Sequence, residues 1–238
     1  MRRRPTGPVG RRDTPGPRTV PISKPGGGIR WLTQLEPADD AAYRAAVGPL
    51  VGRIERSLGP EVVAVRAKRS GVGWTLAPWR QARAAWRSNV QRAIIGAPEA
   101  TFAVADVRDC YASISFETVT ALLGPEAAEA VALLRRFRER GVRGLPVGPE
   151  PSAVLANAAL SRLDHAIGST GLRHLRWVDD VVLWGPGDEV RAAMAAMRSA
   201  GEAIGLDLHR GKTRVLRDRD EAVAVLLGER DSSIIAAP

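Results

Sequence analysis

Two adjacent carboxylates, Asp179 and Asp180, sit in the middle of the apolar run Leu175-Arg176-Trp177-Val178-Asp179-Asp180-Val181-Val182-Leu183-Trp184. Hydrophobic burial does not explain ionised side chains there, because desolvating an unpaired carboxylate is costly unless a positive charge or a metal offsets it. A divalent metal site is the first chemistry this suggests; the alternative is a β-hairpin whose tight turn is Asp-Asp, with both carboxylates in water. A second acid favours the metal. Phe102-Ala103-Val104-Ala105-Asp106 reads as a short buried strand ending on a carboxylate. If the two strands are neighbours in one sheet, Asp106, Asp179 and Asp180 converge, and oxygen-only sites of this kind suit Mg²⁺ or Mn²⁺ rather than zinc. Two such ions about 3.5–4 Å apart activate an attacking hydroxyl and stabilise a leaving oxygen in phosphoryl transfer.

The elements that must position these acids follow from turn and periodicity signals. Residues 38–58 predict a helix with Tyr43, Val47, Leu50, Val51, Ile54 and Leu58 as its apolar stripe, interrupted near Gly48-Pro49. Ser115 can cap a short helix ending near Gly124, and Pro125 can open another that runs to Arg140. Residues 144–151 read as a loop, and a helix rich in small residues runs from Ser152 toward Ile167. The Asp-Asp hairpin comes next, then a helix over 188–204 and a strand over 206–208. Strands alternating with helices that cover one face indicate an α+β fold with a mostly antiparallel sheet.

Several stretches together resemble the successive palm motifs of reverse transcriptases, in order. They are Asp106-Val107-Arg108-Asp109-Cys110-Tyr111; Gly144-Leu145-Pro146-Val147-Gly148 with Ser152 and Leu155-Ala156-Asn157; Val178-Asp179-Asp180; and Leu206-Asp207-Leu208 with Gly211-Lys212-Thr213. Upstream, Lys24-Pro25-Gly26-Gly27-Gly28-Ile29-Arg30-Trp31-Leu32 is similar to the glycine-turned basic hairpin of the fingers in bacterial members. The resemblance covers about residues 20 to 216. Val147 stands where most members carry glutamine, as in defence-related and unclassified bacterial variants. With 26 residues after Lys212, the thumb is expected to be absent or minimal. The expected organisation is a disordered basic arm over 1–21, a fingers-like region over 22–100, a palm over 101–216 and a C-terminal remnant over 217–238.

The resemblance implies a set of roles. Asp106 and Asp179 would be ligands to two Mg²⁺ or Mn²⁺ ions, with Asp180 a third ligand or an acid just outside the metal shell. Tyr111 would lie under the sugar of the incoming nucleotide, where its ring would collide with a 2′-hydroxyl and favour deoxynucleotides. Lys24 and Arg30 would neutralise the triphosphate, and Lys212 would stand near the leaving pyrophosphate. Gly148, Ser152 and Asn157 would shape the floor beneath template base and primer. Asp109 is expected to face solvent or pair with an arginine, and the lone Cys110 to pack as a small hydrophobe. His165, His174 and His209 have no zinc-like spacing and are expected to be structural or exposed.

Charge placement points to nucleic acid. Seven of the nine formal net positive charges fall in residues 1–30, a Pro- and Gly-rich stretch suited to phosphate backbone. Between Glu61 and Glu99 there is no acid, while Arg66, Lys68, Arg69, Arg80, Arg83, Arg87 and Arg92 interleave with Trp74, Trp79 and Trp86. A helix there can seat its tryptophans on the core and aim arginines at a phosphate backbone; Arg66, Lys68, Arg69, Arg83 and Arg87 are the candidates. No run of about 18 or more apolar residues exists and the N-terminus has no secretory pattern, so a cytoplasmic enzyme without a membrane span is expected.

The activity implied is RNA-directed DNA polymerisation from a primer 3′-hydroxyl with deoxynucleoside triphosphates, using RNA template and DNA primer, in an antiviral-defence or mobile-element setting. A dedicated noncoding RNA or a partner protein would complete it. The alternatives are a template-independent or protein-primed polymerase of the same fold, or a non-catalytic nucleic-acid-binding subunit.

Overall fold

A computed structural model of the chain describes residues 16–23, 27–71 and 73–228. Lys24 and most of the basic arm, residues 1–15, lie outside the described residues. The sheet is built around two strands that are apolar on both faces. Strand β5 (Thr101–Asp106) pairs antiparallel with β7 (Asp180–Gly185), Thr101 opposite Gly185 and Asp106 opposite Asp180. Ala103, Ala105, Val181 and Leu183 enter one core, whereas Phe102, Val182 and Trp184 enter a second on the opposite face. Burial on both sides makes these strands read as continuous apolar runs rather than alternating ones. Strand β6 (Arg173–Trp177) lies on the free edge of β7, and the two-residue β8 (Arg214–Val215) on that of β5, giving the order β6-β7-β5-β8, antiparallel throughout.

Helices α6 (Glu150–Gly168) and α7 (Gly187–Glu202) pack on the first face. Behind them lie α1 (Pro37–Ser57), α4 (Phe116–Leu123) and α5 (Ala128–Glu139). Thirteen of the 19 residues of α6 are buried, which its alanines permit by letting neighbouring backbones approach. Ser115 caps α4 by accepting a hydrogen bond from the Thr118 N–H at 3.2 Å, as its position in the sequence implies. The fold class is the α+β, antiparallel one expected. In addition, the second face carries α2 (Trp79–Gly96) and α8 (Arg219–Leu226), whose Trp86, Val90, Ala222 and Leu226 close the second core. The expected C-terminal remnant therefore contributes a packed helix.

Two hairpins extend from this body: β1 (Arg18–Ser23) with β2 (Ile29–Gln34), and β3 (Ala67–Ser70) with β4 (Gly73–Leu76). Strand β1 takes in Arg18 to Pro21, which the sequence reading places in the arm. Helix α1 runs unbroken through Pro49, because burying Tyr43, Val47, Leu50, Val51 and Ile54 outweighs one lost backbone hydrogen bond. Helix α6 starts at Glu150, two residues before the expected Ser152. Residues 206–208 form no strand: Leu208 makes a single bridge to Val107 and the Asp207 carbonyl accepts from the Arg108 N–H at 2.8 Å, while the ladder pairing falls to Arg214–Val215. Among the described residues no helix is long and apolar enough to cross a membrane.

Candidate active site

The end of β5, the start of β7 and the turn before it place the three acids at one corner of the sheet. Asp106, buried, is the last residue of β5; Asp180 faces it across the ladder; Asp179 occupies the turn between β6 and β7. Backbone contacts fix this corner. The Val107 N–H donates to the Asp179 carbonyl at 3.3 Å, the His209 N–H to the Asp106 carbonyl at 2.7 Å, and the Asp106 N–H to Thr213 Oγ1 at 3.3 Å. Burial, and then the charge of Asp106, push the Asp179 carboxyl up to about 6 against the opposing pull of a backbone hydrogen bond, Lys212 and Arg30. Lys212 Nζ donates to Asp106 Oδ2 at 2.9 Å. Its partial burial works to lower its proton affinity, but that hydrogen bond and the charges of Asp106, Asp180 and Asp179 outweigh it and hold the ammonium above its ordinary range.

Among the described residues, no three His, Cys, Asp or Glu side chains are already gathered as a metal cage. The corner nevertheless fits a hard divalent cation in its donor chemistry. Its acids are oxygen donors, and burial, followed by the charge of Asp106, draws Asp179 toward protonation, a cost that a cation beside it would relieve.

Tyr111 approaches the same corner from α3 (Cys110–Ser113), one turn that begins after the exposed Asp109 in the left-handed region at φ 46. Burial, followed by the neighbouring Cys110, Asp179 and Tyr43, drives the Tyr111 hydroxyl well above its ordinary value, with Arg30 opposing, so the phenol stays neutral. The loop before α6 seals this turn from below. At Gly144 (φ 59) a Cβ would stand 2.4 Å from the Tyr111 carbonyl oxygen and 2.5 Å from that of Ala112, a closeness that only glycine allows. Leu145 N–H donates to the same Tyr111 carbonyl at 2.8 Å. Farther along, the Val147 carbonyl accepts from the Thr33 N–H at 2.7 Å, and Gly148 (φ 120) lies against Leu32 and Thr33. Position 147 thus joins the loop before α6 to the β1–β2 hairpin through its backbone, and β2 carries Arg30 to where Asp179 and Tyr111 feel its charge.

Other expected site residues are placed elsewhere. Ser152 is fully buried and shares a 3.2 Å hydrogen bond with the Tyr43 hydroxyl. Asn157, also buried, donates to the Val65 carbonyl at 3.0 Å and accepts from Arg176 Nη1 at 2.9 Å. Neither offers a surface to a template base, because α6 is enclosed where they sit. Arg66 is committed to the fold: its Nε bonds Glu55 Oε2 at 2.9 Å and its Nη1 the carbonyls of Gly59 (2.9 Å) and Val62 (3.2 Å), tying the end of α1 to the loop after it. Arg83 lies over the Trp177 ring, 5.8 Å from its centroid. Lys68, Arg69 and Arg87 are exposed. Trp74 and Trp86 are core, as expected, but Trp79 is 47 % exposed with Arg80 over its ring.

One residue escaped the sequence reading altogether. Arg176, in β6, is wholly buried and paired with Asp164 of α6, which His174 also approaches at 3.4 Å. The signal was in the sequence: a charge in an apolar run demands a partner whether it is acidic or basic.

No family model matches the sequence, and no curated protein does. Among solved structures, the telomerase of Candida albicans, in complex with a TWJ fragment of telomeric RNA, superposes with a TM-score of 0.55 at 14% identity, over 85% of this chain and 42% of that one. Apo telomerase of Candida tropicalis, truncated from its C-terminal domain, superposes with a TM-score of 0.48 at 11% identity, over 84% of this chain and 49% of that one. The chain spans less than half the length of either telomerase. At such identity the likeness is one of backbone alone, and what the first of these superpositions shows is that this chain has a reverse-transcriptase-like fold.

Proposed function

We propose that the protein is a nucleotidyltransferase, an RNA-directed DNA polymerase that extends a primer 3′-hydroxyl with deoxynucleoside triphosphates. The observation that carries this reading is the meeting of Asp106 with the Asp179–Asp180 turn at one corner of the sheet, in a fold of reverse-transcriptase type. The first neighbour, a telomerase bound to RNA, supports an RNA partner. Asp106 and Asp179 would hold two Mg²⁺ or Mn²⁺ ions, with Asp180 beside them. Bound there, the ions supply activation of the attacking hydroxyl and neutralisation of charge on the leaving pyrophosphate. The chain's own groups do the rest. Arg30 brings a cation from the β1–β2 hairpin close enough for Asp179 to feel its charge, where a triphosphate needs one. Lys212 keeps its proton beside Asp106 Oδ2, available to a departing phosphate oxygen. Tyr111, neutral and braced from below by the Gly144 turn, presents a ring to the nucleotide sugar.

Purified protein given a DNA primer on an RNA template should incorporate deoxynucleotides with Mg²⁺ or Mn²⁺ and stop when the metal is chelated. Sequencing should show products that copy the template. No incorporation on any primed RNA or DNA with either metal would overturn the reading. Products unrelated to the template would move it to template-independent synthesis. In the same assay Tyr111→Val should lower the preference for deoxy- over ribonucleotides by about 10- to 100-fold, the scale of a lost steric contact in a closed pocket. An unchanged preference would remove Tyr111 from the nucleotide site.

A further inference from the structure

The buried side of the Asp179 turn holds a set of contacts that the reaction does not require and that packing alone does not explain. Arg176 is 0 % exposed. Its Nε donates to both Asp164 oxygens at 2.8 and 3.0 Å and its Nη2 to Asp164 Oδ2 at 2.8 Å. Its Nη1 reaches past that acid to Asn157 Oδ1 at 2.9 Å and to the carbonyl of Val178 at 2.8 Å. Asp164 and Asn157 are seven residues apart on α6, two turns along one face, so the guanidinium is keyed to an enclosed helix. The backbone of Arg176 is pinned as well: its N–H donates to the Glu61 carbonyl at 2.8 Å and its carbonyl accepts from the Val63 N–H at 3.0 Å.

What the guanidinium holds is an unfavourable conformation. Val178 sits at φ 55, a region that a β-branched residue adopts only when its surroundings impose it. It immediately precedes Asp179, so its backbone angles decide where that carboxylate points. We propose that Arg176 is a positioning residue of the metal corner, transmitting the rigidity of α6 through the Val178 carbonyl to Asp179, with Asn157 and Asp164 orienting it. The inference rests on the metal-binding reading of the three acids. As a stabilising device alone the pair would be a poor choice, because buried ion pairs are commonly matched or bettered by apolar side chains of similar size.

The test is Mn²⁺ binding to the full chain, followed by electron paramagnetic resonance without nucleotide or primer. Wild-type protein should bind Mn²⁺ in a manner that Asp179→Asn abolishes. Arg176→Lys retains a cation for Asp164 but cannot also reach Val178, and should weaken Mn²⁺ binding by about tenfold or more, the usual effect of losing a group that orients a ligand. Should that variant fail to fold, the double variant Arg176→Met with Asp164→Leu decides, since it removes both charges together; circular dichroism and a thermal melt establish that it is folded. It should show the same loss of affinity at an undiminished melting temperature. A folded variant that binds Mn²⁺ within about twofold of wild type overturns the inference, as does wild-type protein with no Asp179-dependent Mn²⁺ binding. Arg176-dependent Mn²⁺ binding in a protein that extends no primer would overturn the polymerase assignment alone.

Discussion

Asp179→Asn should abolish incorporation and at the same time make the metal-free protein more stable. The loss of activity is expected to be about 10²- to 10³-fold or more, as when one preorganised charge is taken from a reaction centre. The gain in stability follows from the direction of the proton affinity. In the fold the Asp179 carboxyl is raised to about 6 by burial and by Asp106, from an ordinary value of 3.8. A group that binds its proton more tightly folded than unfolded makes stability fall as pH rises between those two values, and leaves the full penalty in place above the higher one. A shift of about two units corresponds to at most about 3 kcal/mol, so the neutral amide should stabilise by about 1–3 kcal/mol at pH 7. Urea unfolding in chelator at pH 7 should show the variant ahead, and at pH 4 the two proteins should converge. Added Mg²⁺ should raise the midpoint of the wild type only. A variant less stable than wild type at pH 7 would mean that Asp179 is not held against an electrostatic cost, and would weaken the case for a cation site.

How far the sequence reveals this arrangement depends on how strongly each residue type constrains its surroundings. The three acids are legible because ionised carboxylates in strands that are otherwise Val, Ala and Leu require compensation, and that requirement survives ignorance of the fold. The Gly144 turn and the Ser115 cap are legible because each does something few other residues can. Ser152 and Asn157 are small polar residues that suit a ligand floor or a buried hydrogen bond equally well, and only the enclosure of α6 decides between these. Arg66 looks like a phosphate contact within a basic run, yet Glu55, one helix end away, takes it. Residues 206–208 alternate like a strand, but pairing depends on which segment reaches the open edge of β5, and Arg214–Val215 gets there with an exposed pair that carries no pattern. Pro49 marks a helix end by local rule and is overruled by the apolar stripe on either side of it.

Asp164→Ala should be among the most destabilising single substitutions in the chain, although Asp164 lies outside the corner where Asp106 meets the Asp179–Asp180 turn. Breaking a buried pair leaves the surviving charge without compensation, at a cost of about 3–5 kcal/mol. Here the survivor is Arg176, wholly enclosed, and its remaining partners, Asn157 and the Val178 carbonyl, are neutral. The pH dependence should run opposite to that at Asp179. Burial works to raise the Asp164 carboxyl, but His174, whose Nε2 lies 3.4 Å from it, and the charge and hydrogen bonds of Arg176 outweigh it and hold it below its ordinary value. A carboxyl depressed in the fold contributes fully above its unfolded value, about 3.9, and loses that contribution as pH falls through the lower folded value. The difference in unfolding free energy between wild type and Asp164→Ala should therefore stay level from pH 7 to 5 and narrow only below about pH 4. A difference under about 1 kcal/mol at pH 7, the level of an exposed pair, would show that water reaches Arg176. Because the double apolar replacement removes both charges, it should recover what the single substitution loses while leaving Asp179 unsupported. That separates the two proposed uses of the network: the fold would need Arg176 and Asp164 to be matched, whereas a metal bound at Asp179 would need the guanidinium itself.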